Sequence, residues 1–535
     1  MKKAVLLLLM AAYSVSFAQS QLVFVYFTGK PNKAAFYANP LSELSQKSLN
    51  RRTALGIPLN DQDAPVEPSY IQNVQNLGFT VTDYSKWLNG VAVNATPAQI
   101  QLLQSQTYVQ SVESFAKNTS GTTKIPDSNK WTTETITQTL LLTTFDYGSG
   151  NDQIDQINLK PLHLAGYTGT GVTIAVIDTG FPYVNTGSAF SRLWANNHIK
   201  GGYDFVTKGT DIYNTGLNNH GSVVLGAIGG YITNSFVGSA PDADFYLYRS
   251  ENATVEIPEE ELYWIEAAEE ADRKGVDMIT TSLGYSTFDD PQYNYTYADM
   301  NGNTSFIARA AGIAVSKGIF VLIAAGNSGQ SSWHYITTPA DHAQVFTIGS
   351  VDSSGASSGF SSYGPNSAGV IKPDASARGT ASATVDNNST ITVNGTSIAT
   401  PIAAGGVACL IQAFTTMNRD LMRNRLRQTA SLFPTHTDQM GYGILNFGKF
   451  YNMTLNTSEL IRENAIKIFP NPVRNILNVA SENEVIHLEV YDHLGRLITK
   501  AEHQKSIQVG DFAKGVYYLK IQTKDKIYYE KFIKE

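Results

Sequence analysis

The sequence contains a single cysteine, Cys409, among 535 residues. One cysteine cannot form an internal disulfide, so the folded chain must be stabilised by its buried core and by any ions that it binds. Cys409 lies in an apolar run, 403–411, whose spacing predicts a buried helix. A small core residue is therefore expected at this position, rather than a reactive thiol.

Charged residues are also scarce. They make up 16% of the chain, and the formal net charge is −7. A protein that binds nucleic acid through its phosphates needs concentrated Lys and Arg. The composition therefore excludes nucleic acid as the main partner, while an apolar fraction of 42% predicts a globular chain.

Long apolar runs are missing as well, and no stretch after the N-terminus is expected to span a bilayer. The first residues combine Lys2 and Lys3 with a short apolar run, 4–12, and a small-residue cleavage pattern at 16–18. This combination predicts a secretory signal peptide over residues 1–18. The alternative, a membrane anchor, is disfavoured because the apolar run is too short.

The patterns of helix and strand divide the rest of the chain into four segments, as expected for a chain of this length. Residues 19–115 predict a small α+β unit, and the Thr-, Ser- and Asn-rich residues 116–150 predict an exposed linker. Residues 151–455 alternate β-type runs with helical runs, which predicts an α/β fold, a parallel sheet with helices on both faces. Residues 465–535 predict a small β-sandwich of short strands separated by turns.

Within the N-terminal segment, Thr96 followed by Pro97 predicts the start of a helix. Apolar residues at 100, 102 and 103, and then Val109 and Val112, predict its buried side.

Three residues lie where turns meet regular structure. Asp178 ends the apolar run 174–177, His220 begins a small-residue helical segment, and Ser397 precedes another helical run. A serine hydroxyl is a weak nucleophile until a base takes its proton, and a carboxylate must orient that base. Each residue has an ordinary alternative: a turn aspartate, a structural histidine, or an N-cap serine. Their order, Asp before His before Ser, is one of the known triad arrangements.

Two further sites follow predicted strands. Asn327 lies in a glycine-rich turn, where it is either a simple turn residue or an amide donor for an oxyanion. Residues 282–284 end another strand and are either an ordinary strand end or an edge that pairs with an extended peptide. Pro401 is unusual because it lacks the N–H that would bond the Ser397 carbonyl in a regular helix.

Taken together, these segments resemble the signatures of the subtilisin-like serine proteases, the subtilases, over about residues 150–450. The resemblance implies a secreted serine endopeptidase that acts on protein or peptide substrates, with Asp178, His220 and Ser397 as its triad. It implies that Asn327 is the oxyanion asparagine. It also implies a pocket for the residue that precedes the scissile bond, with walls formed by Ser282, Leu283, Gly284, Ala324, Ala325 and Gly326.

The flanking segments carry two more resemblances. Residues 88–93 and 96–100 resemble a subtilase propeptide, which implies that 19–115 is an intramolecular inhibitor and that the protein is made as a zymogen. Residues 470–472, 490–496 and 515–517 resemble the C-terminal sorting domain of the type IX secretion system. This second resemblance implies that the secretion machinery is a partner and that the protein crosses the periplasm to become secreted or surface-bound.

Other functions remain open at this level. A non-catalytic surface or binding protein could use the same scaffold, since fold does not determine function. An esterase with an α/β-hydrolase fold would need Gly-x-Ser-x-Gly around its nucleophile, which Ser397 lacks. No cofactor and no metal ligand is assigned. Subtilases commonly bind structural calcium, which the resemblance makes possible here, although no segment has a clear ligand spacing.

Overall fold

The computed structural model describes residues 19–117, 145–463, 467–481, 484–492, 496–524 and 527–535. The chain divides into two compact units, with the division between Tyr451 and Asn452. The predicted signal peptide and residues 118–144 of the predicted linker lie outside the described residues. The N-terminal α+β region and the central α/β domain together form the first unit.

The N-terminal region is a four-stranded antiparallel sheet covered by helices. In spatial order its strands are Asp83–Ser85, Gly90–Ala95, Gln21–Phe27 and Val109–Ser114. Its α- and 3₁₀-helices are Lys33–Ala38, Pro40–Ser42, Gln46–Leu55, Asp61–Asp63, Pro68–Asn76 and Pro97–Gln104.

Both faces of this sheet are buried. Val23 and Val25 pack against the helices of the N-terminal region itself. Leu22 and Phe24, which point the other way along the same strand, belong to a core cluster of the central domain. Because successive side chains of a strand point to opposite faces of the sheet, this one strand contributes to two different cores.

The helix that starts after Thr96 is shorter than the sequence pattern predicts. Thr96 is its N-cap and exchanges hydrogen bonds with Gln99, as the sequence indicates. The helix ends at Gln104, however, and the prediction that Val109 and Val112 continue it is wrong, because both lie on the next strand. Two apolar residues three apart fit a helix as well as a short, irregular strand, so spacing alone could not separate the two structures.

The central domain is built on a seven-stranded parallel sheet. In spatial order its strands are Ala375–Arg378, Phe346–Val351, Phe320–Ala324, Met278–Thr281, Thr173–Asp178, Asp244–Arg249 and Ile199–Asp204. Two hairpins add the strands Tyr231–Ile232, Phe236–Val237, Ser382–Asp386 and Ser389–Val393. The α- and 3₁₀-helices are Asn151–Gln156, Lys160–Leu164, Ser188–Phe190, Ser191–Ala195, His220–Gly229, Glu259–Lys274, Pro291–Tyr293, Tyr297–Asp299, Phe306–Ser316, Thr396–Ala413, Arg419–Thr429 and Phe447–Glu463.

Helices cover both faces of the central sheet, which confirms the predicted α/β fold. Val176 lies in the core beneath helices His220–Gly229 and Thr396–Ala413. Its neighbour Ile177 lies in the opposite core, beneath helix Glu259–Lys274. Burial on both faces explains why the strands appear in the sequence as continuous apolar runs.

Helix Thr396–Ala413 is long and apolar but lies in the core. By length and composition it is the one helix of the described residues that could cross a bilayer, but 89% of it is buried inside the protein. Cys409 lies on this helix and is fully buried, as predicted. The pattern is that of a core helix, which is apolar because protein surrounds it.

The C-terminal unit contains two antiparallel sheets around one core, as predicted. One sheet contains Lys467–Phe469, Ile476–Ala480 and Ser506–Gln508, and the other contains Leu497–Glu502, Val485–Tyr491, Gly515–Thr523 and Ile527–Lys534. The short first and third strands of the smaller sheet were not predicted from the sequence.

Candidate active site

Asp178 is the last residue of a central strand and is fully buried. One of its carboxylate oxygens, Oδ1, accepts a hydrogen bond from the backbone N–H of Thr179 at 2.8 Å and lies 2.7 Å from Nδ1 of His220. A buried carboxylate is costly unless it is paired, and these contacts supply the partners. The position at the carboxyl end of a parallel strand is where such sheets hold their sites.

His220 is the first residue of its helix and is also fully buried. With Nδ1 donating to Asp178, the neutral ring carries its acceptor at Nε2. Among the described residues, Nε2 has no hydrogen-bond partner. His220 nevertheless lines a cavity, so this nitrogen is placed to accept a proton from a group in or beside that cavity.

Gly221 explains how the helix start comes so close to the end of the strand. A Cβ atom on this residue would lie 2.4 Å from the carbonyl oxygen of Gly180 and 3.0 Å from the Cβ of Asp178. Only glycine allows this approach. The glycine that follows His220 in the sequence therefore sets the distance between imidazole and carboxylate.

Asn218 is a supporting residue that sequence reasoning missed. Its side-chain oxygen accepts hydrogen bonds from the backbone N–H of His220 at 2.9 Å and from the hydroxyl of Thr179 at 3.3 Å. It thus ties the histidine to the loop that follows Asp178. An asparagine just before a helix start is a common capping signal and could have indicated this role.

Ser397 is the second residue of helix Thr396–Ala413, and the alternative of an N-cap serine is wrong. The N-cap is Gly395, with φ 154° and ψ 150°, a backbone conformation that is essentially restricted to glycine. Pro401 lies inside the helix and cannot bond the Ser397 carbonyl. The hydroxyl of Ser282 donates to that carbonyl instead, over 2.9 Å.

Asn327 is oriented by the residue that precedes Ser397. Its side-chain oxygen accepts hydrogen bonds from the backbone N–H of Thr396 at 2.9 Å and from the Thr396 hydroxyl at 3.0 Å. These two bonds assign the oxygen to the Thr396 side, so the amide nitrogen lies on the other side of the group. Asn327 and Ser397 both line the cavity that His220 lines.

The cavity has a volume of about 180 Å³. Of the residues predicted from the sequence, it brings together His220, Ser397, Asn327, Ser282, Leu283, Gly284, Ala324 and Gly326. Asp178 is not among the lining residues, and its contact with the site runs through His220. Ala325 is also absent from the lining, because it is buried and its N–H donates to the carbonyl of Ile348 at 3.0 Å. Two lining carboxylates, Glu251 and Glu256, were not predicted.

Within the described residues, no group of three or more His, Cys, Asp or Glu side chains could hold a metal ion. The calcium ion that the resemblance makes possible is therefore not assigned to any residues.

Comparison with known families matches three parts of the chain. The model of the subtilase family matches residues 169–444. The Bacteroidota propeptide domain of S8 peptidases matches residues 22–132, and the secretion system C-terminal sorting domain matches residues 467–535. The sorting domain indicates type IX secretion, so the protein is secreted or lies at the cell surface.

Individual relatives agree with this assignment. Subtilisin DY of Bacillus licheniformis is 30% identical over 280 residues, which cover 52% of this chain and 90% of the relative. Subtilisin NAT of Bacillus subtilis subsp. natto is 32% identical over 297 residues, which cover 55% of this chain and 69% of the relative. The epidermin leader peptide processing serine protease of Staphylococcus aureus shares the fold, with a TM-score of 0.54 at 17% identity over 82% of this chain and 99% of that structure.

The family match spans more than half of the chain and includes the ends of the strands and helices that carry Asp178, His220 and Ser397. This chain therefore belongs to the subtilase family and is a subtilisin-like serine endopeptidase with its own propeptide.

Proposed function

We propose that Asp178, His220 and Ser397 form the catalytic triad of this protease. The Ser397 hydroxyl attacks the peptide carbonyl while Nε2 of His220 takes its proton. Asp178 holds the imidazole through Nδ1 and stabilises the imidazolium that forms. His220 then gives the proton to the leaving amine, and water hydrolyses the acyl-enzyme by the same route.

Asn327 and the backbone N–H of Ser397 are proposed to stabilise the oxyanion. The bonds from Thr396 fix the Asn327 amide before substrate arrives, and this preorganisation is the source of its effect. Removal of one such donor costs about 3 kcal/mol of transition-state stabilisation.

The walls of the cavity are proposed to bind the peptide chain. Residues 282–284 follow a sheet strand and present a backbone edge on which an extended peptide can pair. Ala324 and Gly326 also line the cavity. Ala325 is proposed to support this wall from behind, since it is buried between its lining neighbours.

The N-terminal region, residues 19–115, is proposed to inhibit the enzyme until the linker, 116–150, is cut. It contacts the catalytic domain, 151–455, through buried polar groups. The Glu269 carboxylate accepts hydrogen bonds from the backbone N–H groups of Lys86 at 3.2 Å and Trp87 at 3.0 Å. Arg52 is fully buried and bridges Asp63 of its own region and Asp272 of the catalytic domain, each at 2.7 Å. Removing one partner of such a buried pair by mutation costs about 3–5 kcal/mol, because the other charge is left buried and unpaired.

The C-terminal segment, 465–535, is proposed to be recognised by the type IX machinery and removed after export. The signal peptide, 1–18, is proposed to direct the earlier step into the periplasm.

The observation that carries the catalytic proposal is the buried Asp178–His220 contact of 2.7 Å, next to the cavity that also holds Ser397. The test is to label the purified protein and its Ser397→Ala variant with a fluorophosphonate probe, and to sequence both N-termini. We expect labelling and propeptide removal in the natural protein only. An active, self-processed Ser397→Ala variant would contradict the proposal, and failure of the natural protein to label would favour a binding protein on this scaffold.

A further inference from the structure

One wall of the cavity is acidic. It is formed by the loop that follows strand Asp244–Arg249, and Glu251 and Glu256 of this loop both line the cavity. Glu251 is buried, with 2% of its surface exposed. None of the described residues that line the cavity is a lysine or an arginine. A substrate side chain that enters the cavity therefore lies beside two carboxyl groups at this wall.

A third carboxyl group, that of Glu260, holds the acidic loop in place. It is buried and accepts hydrogen bonds from the backbone N–H groups of Asn252 at 2.7 Å and Ile257 at 3.3 Å. Burial, together with the nearby carboxyl groups of Glu251 and Glu256, raises the pKa of Glu260 to about 9. The loop that carries the two lining glutamates is thus held near both ends by one buried side chain.

The cationic side chain next to this loop has other partners. Arg249 donates through Nε to the carbonyl oxygens of Thr179 at 3.0 Å and Glu251 at 3.1 Å, and through Nη1 to the Asp204 carboxylate at 2.8 Å. Arg249 therefore positions the backbone of the acidic loop, and its own charge is balanced by Asp204.

A separate observation indicates that the cavity receives a ligand. Nε2 of His220 is fully buried, has no hydrogen-bond partner among the described residues, and belongs to a side chain that lines the same cavity. A volume of about 180 Å³ suits one or two side chains of a longer chain, since sites for whole small molecules run from about 300 Å³ upwards.

We propose that this cavity selects peptide substrates with a lysine or arginine among the residues that precede the scissile bond, and that Glu251 and Glu256 determine this specificity. The inference rests on the proposed protease function. A substrate cation forms charge-assisted hydrogen bonds with carboxylates that are partly removed from water, where the attraction is stronger than at the open surface. An acidic substrate side chain would be repelled, which adds selectivity.

The test uses the processed natural enzyme, with its active sites counted by fluorophosphonate titration. Internally quenched peptides carry Lys, Leu or Glu in turn at each of the four positions before the cleaved bond. We expect kcat/KM for Lys to exceed that for Leu by at least about tenfold at one or more positions, with Glu the poorest. A ratio of Lys to Leu at or below one at all four positions would overturn the inference.

Two variants assign the preference to the acidic wall. Glu251→Gln and Glu256→Gln are each expected to lower the ratio of Lys to Leu at least threefold, mainly through KM. Glu256 is half-buried and tolerates an isosteric amide even if the change at the buried Glu251 impairs folding. The control is Asp438→Asn, which removes an exposed carboxylate outside the cavity and should keep the natural ratio.

A preference for Lys that both Gln variants leave unchanged would also overturn the assignment. Failure of the inference alone is distinguishable from failure of the proposed function. In the first case the enzyme labels at Ser397 and cleaves peptides without favouring Lys. In the second it neither labels nor cleaves, and both proposals fall.

Discussion

The hydroxyl of Ser282 donates a hydrogen bond to the backbone carbonyl of Ser397 over 2.9 Å. The two residues lie 115 positions apart in the chain. Pro401 creates the need for this bond, because it lacks the amide that would satisfy the same carbonyl in a regular helix. A wall of the cavity and the helix turn that carries the proposed nucleophile are thus joined directly.

Ser282→Ala should therefore impair catalysis as well as binding. A buried carbonyl left without its partner costs about 1–3 kcal/mol, and the turn around Ser397 is expected to relax. We expect kcat/KM on a peptide substrate to fall by roughly tenfold, with kcat affected. Ser316→Ala removes an exposed hydroxyl that also bonds a backbone carbonyl, and it should be neutral. An unchanged kcat in Ser282→Ala would show that the bond does not position Ser397.

Asp178→Asn should nearly abolish turnover while leaving the fold intact. An amide that presents its NH₂ group to Nδ1 favours the wrong tautomer of His220, and a loss of about 10⁴-fold in kcat is expected. The measurement is single-turnover acylation with titrated protein, alongside a thermal unfolding curve. Asp211→Asn, at an exposed position, is the matched control. Activity of Asp178→Asn within tenfold of the natural enzyme would remove Asp178 from the triad.

Gly221→Ala should separate the imidazole from the carboxylate. The new Cβ would lie 2.4 Å from the Gly180 carbonyl oxygen, so the helix start must move. We expect a loss of about 1–3 kcal/mol in the free energy of unfolding, as for other overpacked cores, together with a fall in kcat. Gly209→Ala is the control, because its Cβ would meet only the Thr207 hydroxyl oxygen at 3.6 Å. A fully active and stable Gly221→Ala variant would contradict the proposed role of this glycine.

Binding of the propeptide should weaken as the pH rises. Burial raises the pKa of Glu266 to about 7, with Asp83 of the N-terminal region adding to the rise and Lys208 opposing it. Burial also raises the pKa of Glu269. Departure of the N-terminal region removes the Asp83 charge and part of the burial from Glu266, which lowers the pKa of this group, so protonation of Glu266 favours the complex. This advantage is complete below the ordinary glutamate value of 4.5 and is lost as the pH rises to about 7.

The expected result is a fall of roughly tenfold in the affinity of the cut propeptide between pH 5 and pH 7. The affinity is measured at each pH by diluting the complex of the processed enzyme with its cut propeptide and following the protease activity that is regained. Glu266→Gln should flatten this dependence. Glu270→Gln, on the same helix but paired with the exposed Arg273, should leave the dependence as it is. Affinity that rises with pH would contradict the assigned direction.

The sequence was sufficient to predict five of the seven strands of the central sheet, while the two edge strands, Ile199–Asp204 and Ala375–Arg378, were missed. Burial on both faces makes strands such as Thr173–Asp178 uninterrupted apolar runs, and the first charged residue after such a run, Asp178, marks the end that faces the site. Glycines beside His220 and Ser397 carried further information, because they permit backbone approaches that other residues do not.

The acidic wall could not be predicted in the same way. Glu251 and Glu256 have no periodic pattern around them, and their position depends on hydrogen bonds that backbone N–H groups of the loop donate to Glu260. Contacts between distant residues, such as Ser282 with Ser397, leave no local signal either. Short apolar runs were ambiguous for a different reason. Val109 and Val112 show that the spacing of apolar residues in a short run fits a helix and a strand equally well.

The two-sided burial of strand Gln21–Phe27 has a consequence for the fate of the propeptide. Leu22 and Phe24 pack against the catalytic domain, whereas Val23 and Val25 pack within the propeptide. Release of the propeptide would therefore expose one apolar face of its sheet to water. A region of this size with half a core is marginally stable in water. The released propeptide should therefore unfold and be degraded by the enzyme, so that activation is irreversible.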